Sequence, residues 1–591
     1  MLNKKESLGS TEPLWVLLGA LSVVFHIWLI FSGLIPSLVS RPLHMALALP
    51  WVFIYLAKTK SAQKCGGVFT VLGLAACFYI VFKHELLSDQ YGSLEGQWQI
   101  WLAGFLIICV LEMARRAIGW PLPTIAALAL LYGLFGSHLP GEFGHPGLPI
   151  ESFLGTMTVA EGGLWGSLTG VSVNIVAIFV IMGAVLNAGE AGQGFMNLAT
   201  SAAGRLKGGA AKVSVLSSAL FGSISGSASA NVASTGAITL PAMEKLNYPK
   251  RLAGAVEAVA SSGGQIMPPL MGAGAFVMVE LTGTPYTQIM GAAILPAVLY
   301  FLTVWIGINA YADRYDLQPL AKDQLPEKRT VIITASFFAV PFIILLGLMF
   351  IGGYTPQFAA AGAILSGFVL LFLDANLSID IKRTTQRLKS VCLNAGEQIA
   401  VIASIILCAG LIISVLGQTG LGIKITSLIL SVGGEQIWPA LLLTALACLI
   451  LGMEVPTTAA YVICISVAGP ALQKLGLEPL IAHLFVFWFA LLSTITPPVC
   501  GAVFIAAGMI GENWLKVALT AMALGVGLYI IPLGMIANPA IITIATDPLM
   551  ALLVFVKLAV GLAFVSYGLI GKPKILIKAG LIVAGLFAVF I

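Results

Sequence analysis

Long apolar segments separated by short polar ones recur from one end of the chain to the other. A helix needs about 20 mainly apolar residues to cross a bilayer, and fifteen segments approach or exceed that length. They lie near residues 14–33, 43–57, 66–83, 98–114, 120–137, 170–188, 252–281, 287–312, 330–352, 356–373, 390–417, 480–510, 514–537, 549–570 and 575–591. The pattern predicts an all-α polytopic membrane protein with about fifteen transmembrane helices.

The basic residues between these segments indicate an orientation, because cytoplasmic loops of membrane proteins are enriched in Lys and Arg. One continuous topology places nearly every basic cluster on the cytoplasmic side, from Lys4 and Lys5 to the loop 313–329 and residues 572–578. The exceptions are Arg41, Lys83 and Lys474. We therefore expect a cytoplasmic N-terminus.

Two further apolar stretches do not fit as single spans. Residues 210–243 are interrupted by SGSASAN at 225–231, and residues 437–472 are interrupted by GMEVPTT at 452–458. The topology places both ends of the first stretch inside and both ends of the second outside. We therefore predict two re-entrant helical hairpins, one entering from each side.

The hairpins belong to an internal repeat with an offset of 228 or 229 residues. Matched pairs are GQG at 192–194 with GLG at 420–422, Pro241-Ala242 with Pro470-Ala471, and Pro268-Pro269 with Pro497-Pro498. The two units cover about residues 170–312 and 390–545, and an odd number of spans separates their broken elements. The second unit is thus predicted to be inverted, a construction that recurs in secondary transporters with discontinuous helices.

The amino-acid composition excludes several other classes of protein. Of 591 residues, 59% are apolar and 9% charged, and the mean hydropathy is +1.00, whereas soluble domains carry roughly 25% charged residues. No basic run of a nucleic-acid-binding type is present. The sequence also lacks a phosphate-binding GxxxxGK[ST] loop and any clustered carboxylate, His motif or metal-ligand set. We expect neither an enzyme nor a bound cofactor.

The interruptions carry the candidate binding groups, since a helix broken in hydrocarbon exposes backbone polar groups that need partners. Half-helices beginning at Pro456, Pro268 and Pro497 would point positive dipole ends inward, as an anionic substrate would require. The predicted substrate and cation site comprises Ser225, Gly226, Ser227, Asn231, Gly263, Gly264, Gln265, Pro268, Pro456, Thr457, Thr458, Thr494, Thr496 and Pro497. Within this set, the candidate Na⁺ ligands are Ser225, Ser227, Asn231, Thr457 and Thr496.

Acidic residues at membrane depth are a second class of candidates. Glu257 lies in the first broken span and Glu454 at the second hairpin tip, whereas Glu280 lies near the outer end of its span. A carboxyl in apolar surroundings can be neutral and carry a proton. Glu257 and Glu454 are therefore candidates for proton coupling, and structural hydrogen bonding is the alternative for both.

At these residues the sequence resembles a known family. SGSASAN at 225–231, LGMEVPTTAAY at 451–461 and TITPPV at 494–499 are similar to motifs of the permease of tripartite ATP-independent periplasmic (TRAP) transporters, specifically the TAXI subgroup with fused subunits. The resemblance covers roughly residues 120–545. By position alone, residues 1–119 resemble the small subunit, a four-helix scaffold, and residues 120–591 then correspond to the large subunit.

The resemblance implies an elevator mechanism, in which hairpins and broken helices move as a transport domain against a scaffold. It also implies a periplasmic TAXI-type substrate-binding protein that delivers a small carboxylate, such as a four- or five-carbon dicarboxylate. The location implied is the inner membrane of a bacterium or the cytoplasmic membrane of an archaeon, and the fused scaffold suggests a monomer.

Two positions depart from the family pattern and bear on the coupling ion. Asn231 stands where many members outside the subgroup carry Asp, and Glu454 stands where TAXI permeases usually carry a small residue. Together they favour H⁺ slightly over Na⁺. The alternatives to this interpretation are a stand-alone elevator carrier, a channel and, in another class, a membrane-embedded enzyme.

Overall fold

The computed structural model describes residues 11–433, 436–452, 456–498 and 500–591, without the side chains of residues 432 and 433, and its regular structure is helical. The first half contains α1 Glu12–Phe31, α2 Ser37–Pro50, α3 Lys60–Phe82, α4 His84–Asp89, α5 Gln97–Ile118, α6 Pro121–Phe135, α7 Ile150–Thr158, α8 Ser167–Val171, α9 Ala177–Ala188, α10 Ala191–Ala203, α11 Gly209–Ser225, α12 Ala228–Lys245, α13 Lys250–Gly263 and α14 Gly272–Thr282. The second half contains α15 Tyr286–Tyr315, α16 Lys328–Phe350, α17 Pro356–Leu370, α18 Ile381–Thr419, α19 Leu421–Gly433, α20 Ile437–Leu451, α21 Thr457–Lys474, α22 Pro479–Leu492, α23 Gly501–Ile510, α24 Trp514–Leu524, α25 Gly527–Ala537, α26 Pro548–Ile570 and α27 Ile575–Phe590.

Ten helical stretches of the described chain have the length and apolar composition of a membrane span. They are Glu12–Phe31, Ser37–Tyr55, Lys60–Phe82, Pro121–His138, Ile150–Ala188, Tyr286–Tyr315, Lys322–Phe350, Ile381–Thr419, Trp514–Ala537 and Pro548–Ile570. The other five predicted segments correspond to α5, α17 and α27 and to the two broken elements α13–α14 and α22–α23. The prediction of an all-α polytopic membrane protein is confirmed.

Helix α18 is the longest helix in the described part of the chain, and several helices outside the hairpins pack against it. Helix α18 has 39 residues, which at 1.5 Å per residue is about 58 Å, nearly twice the thickness of the hydrocarbon core. It packs against α1, α2, α5, α6 and α9. The contact with α1 is close because Gly19 has no side chain: a Cβ there would lie 2.1 Å from the carbonyl oxygen of Cys392.

Each predicted interruption produces a helical hairpin or a break. Helices α11 and α12 are joined by the two residues Gly226 and Ser227, and Gly226 takes a positive φ of +59° that favours glycine. Helices α20 and α21 pack against each other as the corresponding pair. Both Pro-Pro bonds, 268–269 and 497–498, lie in breaks between helices and are cis.

The helix boundaries reproduce the offset found in the sequence. Helices α11, α12, α13 and α14 begin at residues 209, 228, 250 and 272, and α20, α21, α22 and α23 begin at 437, 457, 479 and 501. Every pair is separated by 228 or 229 residues. The repeated pattern of turn and proline residues therefore encodes a repeated order of hairpin, helix, break and helix.

The contact of α1 with α18 generates a prediction. Gly19→Ala should destabilise the protein by about 1–3 kcal/mol, because the new methyl group overlaps the backbone of α18. Gly67→Ala in α3 is the matched control, since a Cβ there would have no described atom within 4 Å. Thermal unfolding of the purified protein in detergent measures both, and equal midpoints for the two variants would contradict the packing.

Candidate functional site

The tip of the first hairpin is seated on the first helix break through backbone contacts. A Cβ at Gly222 would lie 2.4 Å from the Cα of Gly264, and one at Gly226 would lie 2.6 Å from the Cα of Gly272. Side chains at these positions would separate the segments. Predicted site residues Gly226 and Gly264 are thus brought together with Gly222 and Gly272 by close approach of two chains.

The polar side chains of the first tip have different environments. Ser227 accepts a hydrogen bond from the backbone N–H of Ala230 at 3.3 Å and caps α12. Asn231 is fully buried and donates from its amide to the carbonyl oxygen of Ser218 at 2.9 Å. The hydroxyl of Ser225 is buried and has no hydrogen-bond partner among the described residues. Ser225 is therefore the hydroxyl of this tip that a bound ion or substrate would satisfy.

Two tyrosines bond carbonyl groups in or near the first break. Tyr286 donates to the carbonyl oxygens of Pro269 and Leu270, at 2.5 and 2.9 Å. Tyr300 donates to the carbonyl oxygen of Val259 at 2.8 Å. Such partners are required because an unsatisfied carbonyl in an apolar environment costs several kcal/mol. The tyrosines of α15 therefore stabilise the broken conformation.

Glu257 lies behind the hairpin tip and is fully buried. Its carboxyl receives hydrogen bonds from the hydroxyls of five residues on α11, α12 and α13. The donors are Ser214 at 2.8 Å, Ser218 at 3.5 Å, Ser261 at 3.3 Å, and Thr235 and Thr239. Through these hydrogen bonds, Glu257 connects both helices of the hairpin, α11 and α12, to the following helix α13.

The second break contains Thr494 and Thr496. The hydroxyl of Thr496 lies 2.6 Å from that of Tyr529 on α25. Helix α21 begins at Thr457, directly after Pro456, as predicted, and Thr457 and Thr458 are half-buried. Glu454 lies outside the described residues.

The two repeats meet at these breaks in a reciprocal arrangement. Helix α14, the second half of the first broken element, packs on α21 and α22 of the second repeat. Helix α23, its counterpart, packs on α12 and α13 of the first. Where the breaks meet, Ser262 donates to the carbonyl oxygen of Ala258 and lies 2.8 Å from the hydroxyl of Thr494. The predicted interface between the repeats therefore contains a direct polar contact.

The start of each second half-helix differs from the prediction. We expected half-helices to begin at Pro268 and Pro497, but α14 begins at Gly272 and α23 at Gly501. A residue that precedes proline is disfavoured in the helical conformation, which is why the helix does not begin at the first proline of each pair. Three residues separate that proline from the first residue of the new helix, and Pro268 and Pro497 lie within the breaks.

Neither break contains a charged residue: the sequence is GGQIMPPLM at 263–271 and STITPPVC at 493–500. Gln265 and Gly263 of the first break are buried, and the ring of Tyr300 fills the space beside Gly263. An anion at these breaks would be held by hydroxyl, amide and backbone N–H groups at helix ends. A cation would be held by hydroxyl and carbonyl oxygens.

The predicted site residues form two sets. Ser225, Gly226, Ser227 and Asn231 lie with the first break, whereas Thr457, Thr458 and Pro456 lie at the second hairpin. No hydrogen bond in the described part of the chain joins the candidate Na⁺ ligands of the two sets, so a single Na⁺ site drawing on both remains a prediction.

Sequence reasoning missed Ser262 and the tyrosines that bond the breaks. One signal was present: Tyr300 and Tyr529 are separated by the repeat offset of 229 residues. Extending the alignment of the two units beyond the Pro-Pro pairs would have singled out both rings.

Comparison with known proteins identifies the chain. The family model "Tripartite ATP-independent periplasmic transporter, DctM component" matches residues 105–550, well over half of the sequence. The chain belongs to this TRAP transporter family. The ten candidate spans found in the described residues and the paired breaks are consistent with a polytopic permease of that family.

Relatives of this TRAP permease are distant in sequence. The large permease protein DctM of a C4-dicarboxylate TRAP transporter from Pseudomonas aeruginosa is 26% identical, over 57% of this chain and 77% of its own. An isethionate TRAP transporter permease protein, DctMQ, from Oleidesulfovibrio alaskensis is 25% identical, over 72% of this chain and 69% of its own. An uncharacterized protein of Salmonella typhimurium, YgiK, is 25% identical, over 66% of this chain and 86% of its own.

These similarities establish the general role of the TRAP permease. It is a multi-pass membrane protein and a secondary transporter permease, and the relatives with functional names are permeases rather than enzymes. Membership of a tripartite periplasmic family implies a substrate-binding protein in the periplasm as its partner.

The Ser262–Thr494 contact can be tested with a double-mutant cycle. Ser262→Ala and Thr494→Val should show a coupling energy of about 1 kcal/mol, because each variant alone removes the same hydrogen bond. Unfolding free energies in detergent provide the measurement. Ser262→Ala with Thr496→Val is the control pair, since Thr496 bonds Tyr529 instead, and these two changes should be additive. A coupling energy of zero for the first pair would contradict the contact.

Proposed function

We propose that this TRAP permease imports a small organic carboxylate by cation symport and receives it from a periplasmic TAXI-type substrate-binding protein. The observation that carries this proposal is the reciprocal packing of two broken helices and two hairpins at one interface. Secondary transporters bind their substrates at such repeat interfaces, where discontinuous helices offer free backbone groups.

The chemistry of the breaks supports an anionic substrate of modest size. The first break contains the amide of Gln265, and the second contains the hydroxyls of Thr494 and Thr496. Helices α14 and α23 begin at the ends of the breaks, and α21 begins at the second hairpin. Helix N-termini favour negative charge. Two relatives are named for a C4-dicarboxylate and for isethionate, both small organic anions. We propose a four- or five-carbon dicarboxylate.

The mechanism proposed is of the elevator type. The hairpins and broken helices, α11–α14 and α20–α23, form the moving unit, and the helices packed around α18 form the scaffold. The protein is proposed to act as a monomer in the inner membrane with its N-terminus in the cytoplasm. The small-subunit-like part is assigned to residues 1–119, and the inverted repeats to about 170–312 and 390–545.

For the coupling ion we propose H⁺ over Na⁺. Glu257 and Glu454 are the proton-carrying candidates, and the buried carboxyl of Glu257 supports the assignment because the described structure gives it no basic partner. Na⁺ is the second candidate, favoured by the unpartnered hydroxyl of Ser225.

Uptake by proteoliposomes tests this function. A panel of labelled dicarboxylates is supplied with the purified binding protein outside, under an imposed pH gradient or an imposed Na⁺ gradient. We expect saturable accumulation that requires both the binding protein and the pH gradient. Accumulation without the binding protein would indicate a stand-alone carrier, and flux that neither saturates nor depends on an ion gradient would indicate a channel. Accumulation driven by Na⁺ alone would assign coupling to the hairpin oxygens.

A further inference from the structure

The hydroxyl groups around Glu257 can satisfy two protonation states of this carboxyl. The hydroxyl of Thr235 lies 2.8 Å from the carbonyl oxygen of Asn231, and that of Thr239 lies 3.0 Å from the carbonyl oxygen of Thr235. Both hydroxyls also reach the carboxyl of Glu257. Each can therefore donate to an ionised carboxylate or, after rotation about its C–O bond, to the backbone.

Protonation of the Glu257 carboxyl requires few other changes in the hydrogen bonds of this cluster. The proton adds to one carboxylate oxygen and gives a neutral acid, whose O–H donates to a neighbouring hydroxyl oxygen. A hydroxyl that gives up its bond to the carboxyl turns to its backbone carbonyl. Helices α11, α12 and α13 need not separate for the exchange, because the hydroxyls of Thr235 and Thr239 have backbone acceptors within reach.

Among the described residues, no basic group forms an ion pair with the carboxyl of Glu257. Of the titratable residues on the helices packed against α13, Lys212 lies 5.0 Å from the ring centroid of Trp305, Glu244 pairs with Lys250, and Tyr300 bonds Val259. The others on α12, α24 and α15 are Lys245, Lys516, Tyr286, Tyr311, Asp313, Arg314 and Tyr315. None of these bonds Glu257 in the described part of the chain. A buried charge without a counter-ion is unfavourable, and a bound proton removes that charge.

The second repeat has no equivalent of this cluster. The position matched to Glu257 is Val486, which is fully buried. The five hydroxyl residues Ser214, Ser218, Thr235, Thr239 and Ser261 are matched by Leu442, Leu446, Cys464, Ala468 and Ala490. The order of helices is repeated, whereas the carboxyl and the five hydroxyls around it have no polar counterparts at the matched positions of the second unit.

We propose that each transport cycle carries one coupling proton, and that Glu257 in the first repeat binds it. This inference rests on the proposed symport and makes it specific: the first repeat carries the ion, and the position matched to Glu257 in the second repeat, Val486, carries none. Because Glu257 bonds both arms of the first hairpin and α13, the proton site and the first hairpin form one packed cluster.

Infrared difference spectroscopy of the purified chain tests the proton site without substrate or binding protein. A band of a protonated carboxyl should be present in the wild type, lost in Glu257→Gln and retained in Glu280→Gln, a control in the same broken element whose side chain is exposed. Thr239→Val, which keeps the carboxyl and removes one partner, should shift the band. Identical spectra for the wild type and Glu257→Gln would overturn the proposal.

Transport assays then separate coupling from translocation. In Glu257→Gln, pH-gradient-driven accumulation should be lost, whereas exchange of labelled for unlabelled substrate should persist, because exchange needs no net proton movement. Wild-type accumulation should show one proton per substrate. Accumulation by Glu257→Gln that still follows the pH gradient would refute the role of Glu257 and leave symport intact. Absence of any substrate flux in the wild type would refute the proposed function instead.

Discussion

The constraint on which this structure depends is the need to satisfy backbone polar groups where helices break within an apolar environment. Each break frees carbonyl and N–H groups that water cannot reach in hydrocarbon. In the first repeat, the hydroxyl of Tyr286 donates hydrogen bonds to the carbonyl oxygens of Pro269 and Leu270. The absence of side chains at Gly222 and Gly264 lets the backbone of the hairpin lie directly against the backbone of the break. The hairpin, the break and α15 therefore form one packed unit, and the glycines and tyrosines are as necessary to it as the prolines.

The same constraint bears on the proposed transport, which would combine a binding site at the breaks with movable hairpins. Breaks without charged residues can hold an anion by dipoles and hydroxyls, so release does not require an ion pair to be separated. The reciprocal packing of α14 and α23 across the repeats joins the two breaks, and the Ser262–Thr494 contact lies at their junction. Each hairpin is thus connected to the break of the other repeat by directly packed helices.

The helices outside this unit have a different character. Helix α18 is much longer than a bilayer is thick and packs on the N-terminal helices through backbone approach at Gly19. Small residues allow this closeness, and dispersion contacts along the helices stabilise it, because lipid gives no hydrophobic driving force for helix association. These helices form the scaffold of the proposed elevator mechanism.

The sequence by itself determined the helical membrane architecture, the two hairpins and the repeat. Long apolar runs, turn residues and Pro-Pro pairs act on their own neighbours in the chain, so they can be identified without knowing the packing. Only the tertiary structure decided that Glu257 meets five hydroxyls, that Ser262 meets Thr494 across 232 residues, and that Tyr529 reaches Thr496. It also decided that α14 and α23 begin at Gly272 and Gly501 rather than at the prolines. These features depend on which faces of distant helices come into contact, and that is set by close packing among segments that no local pattern relates.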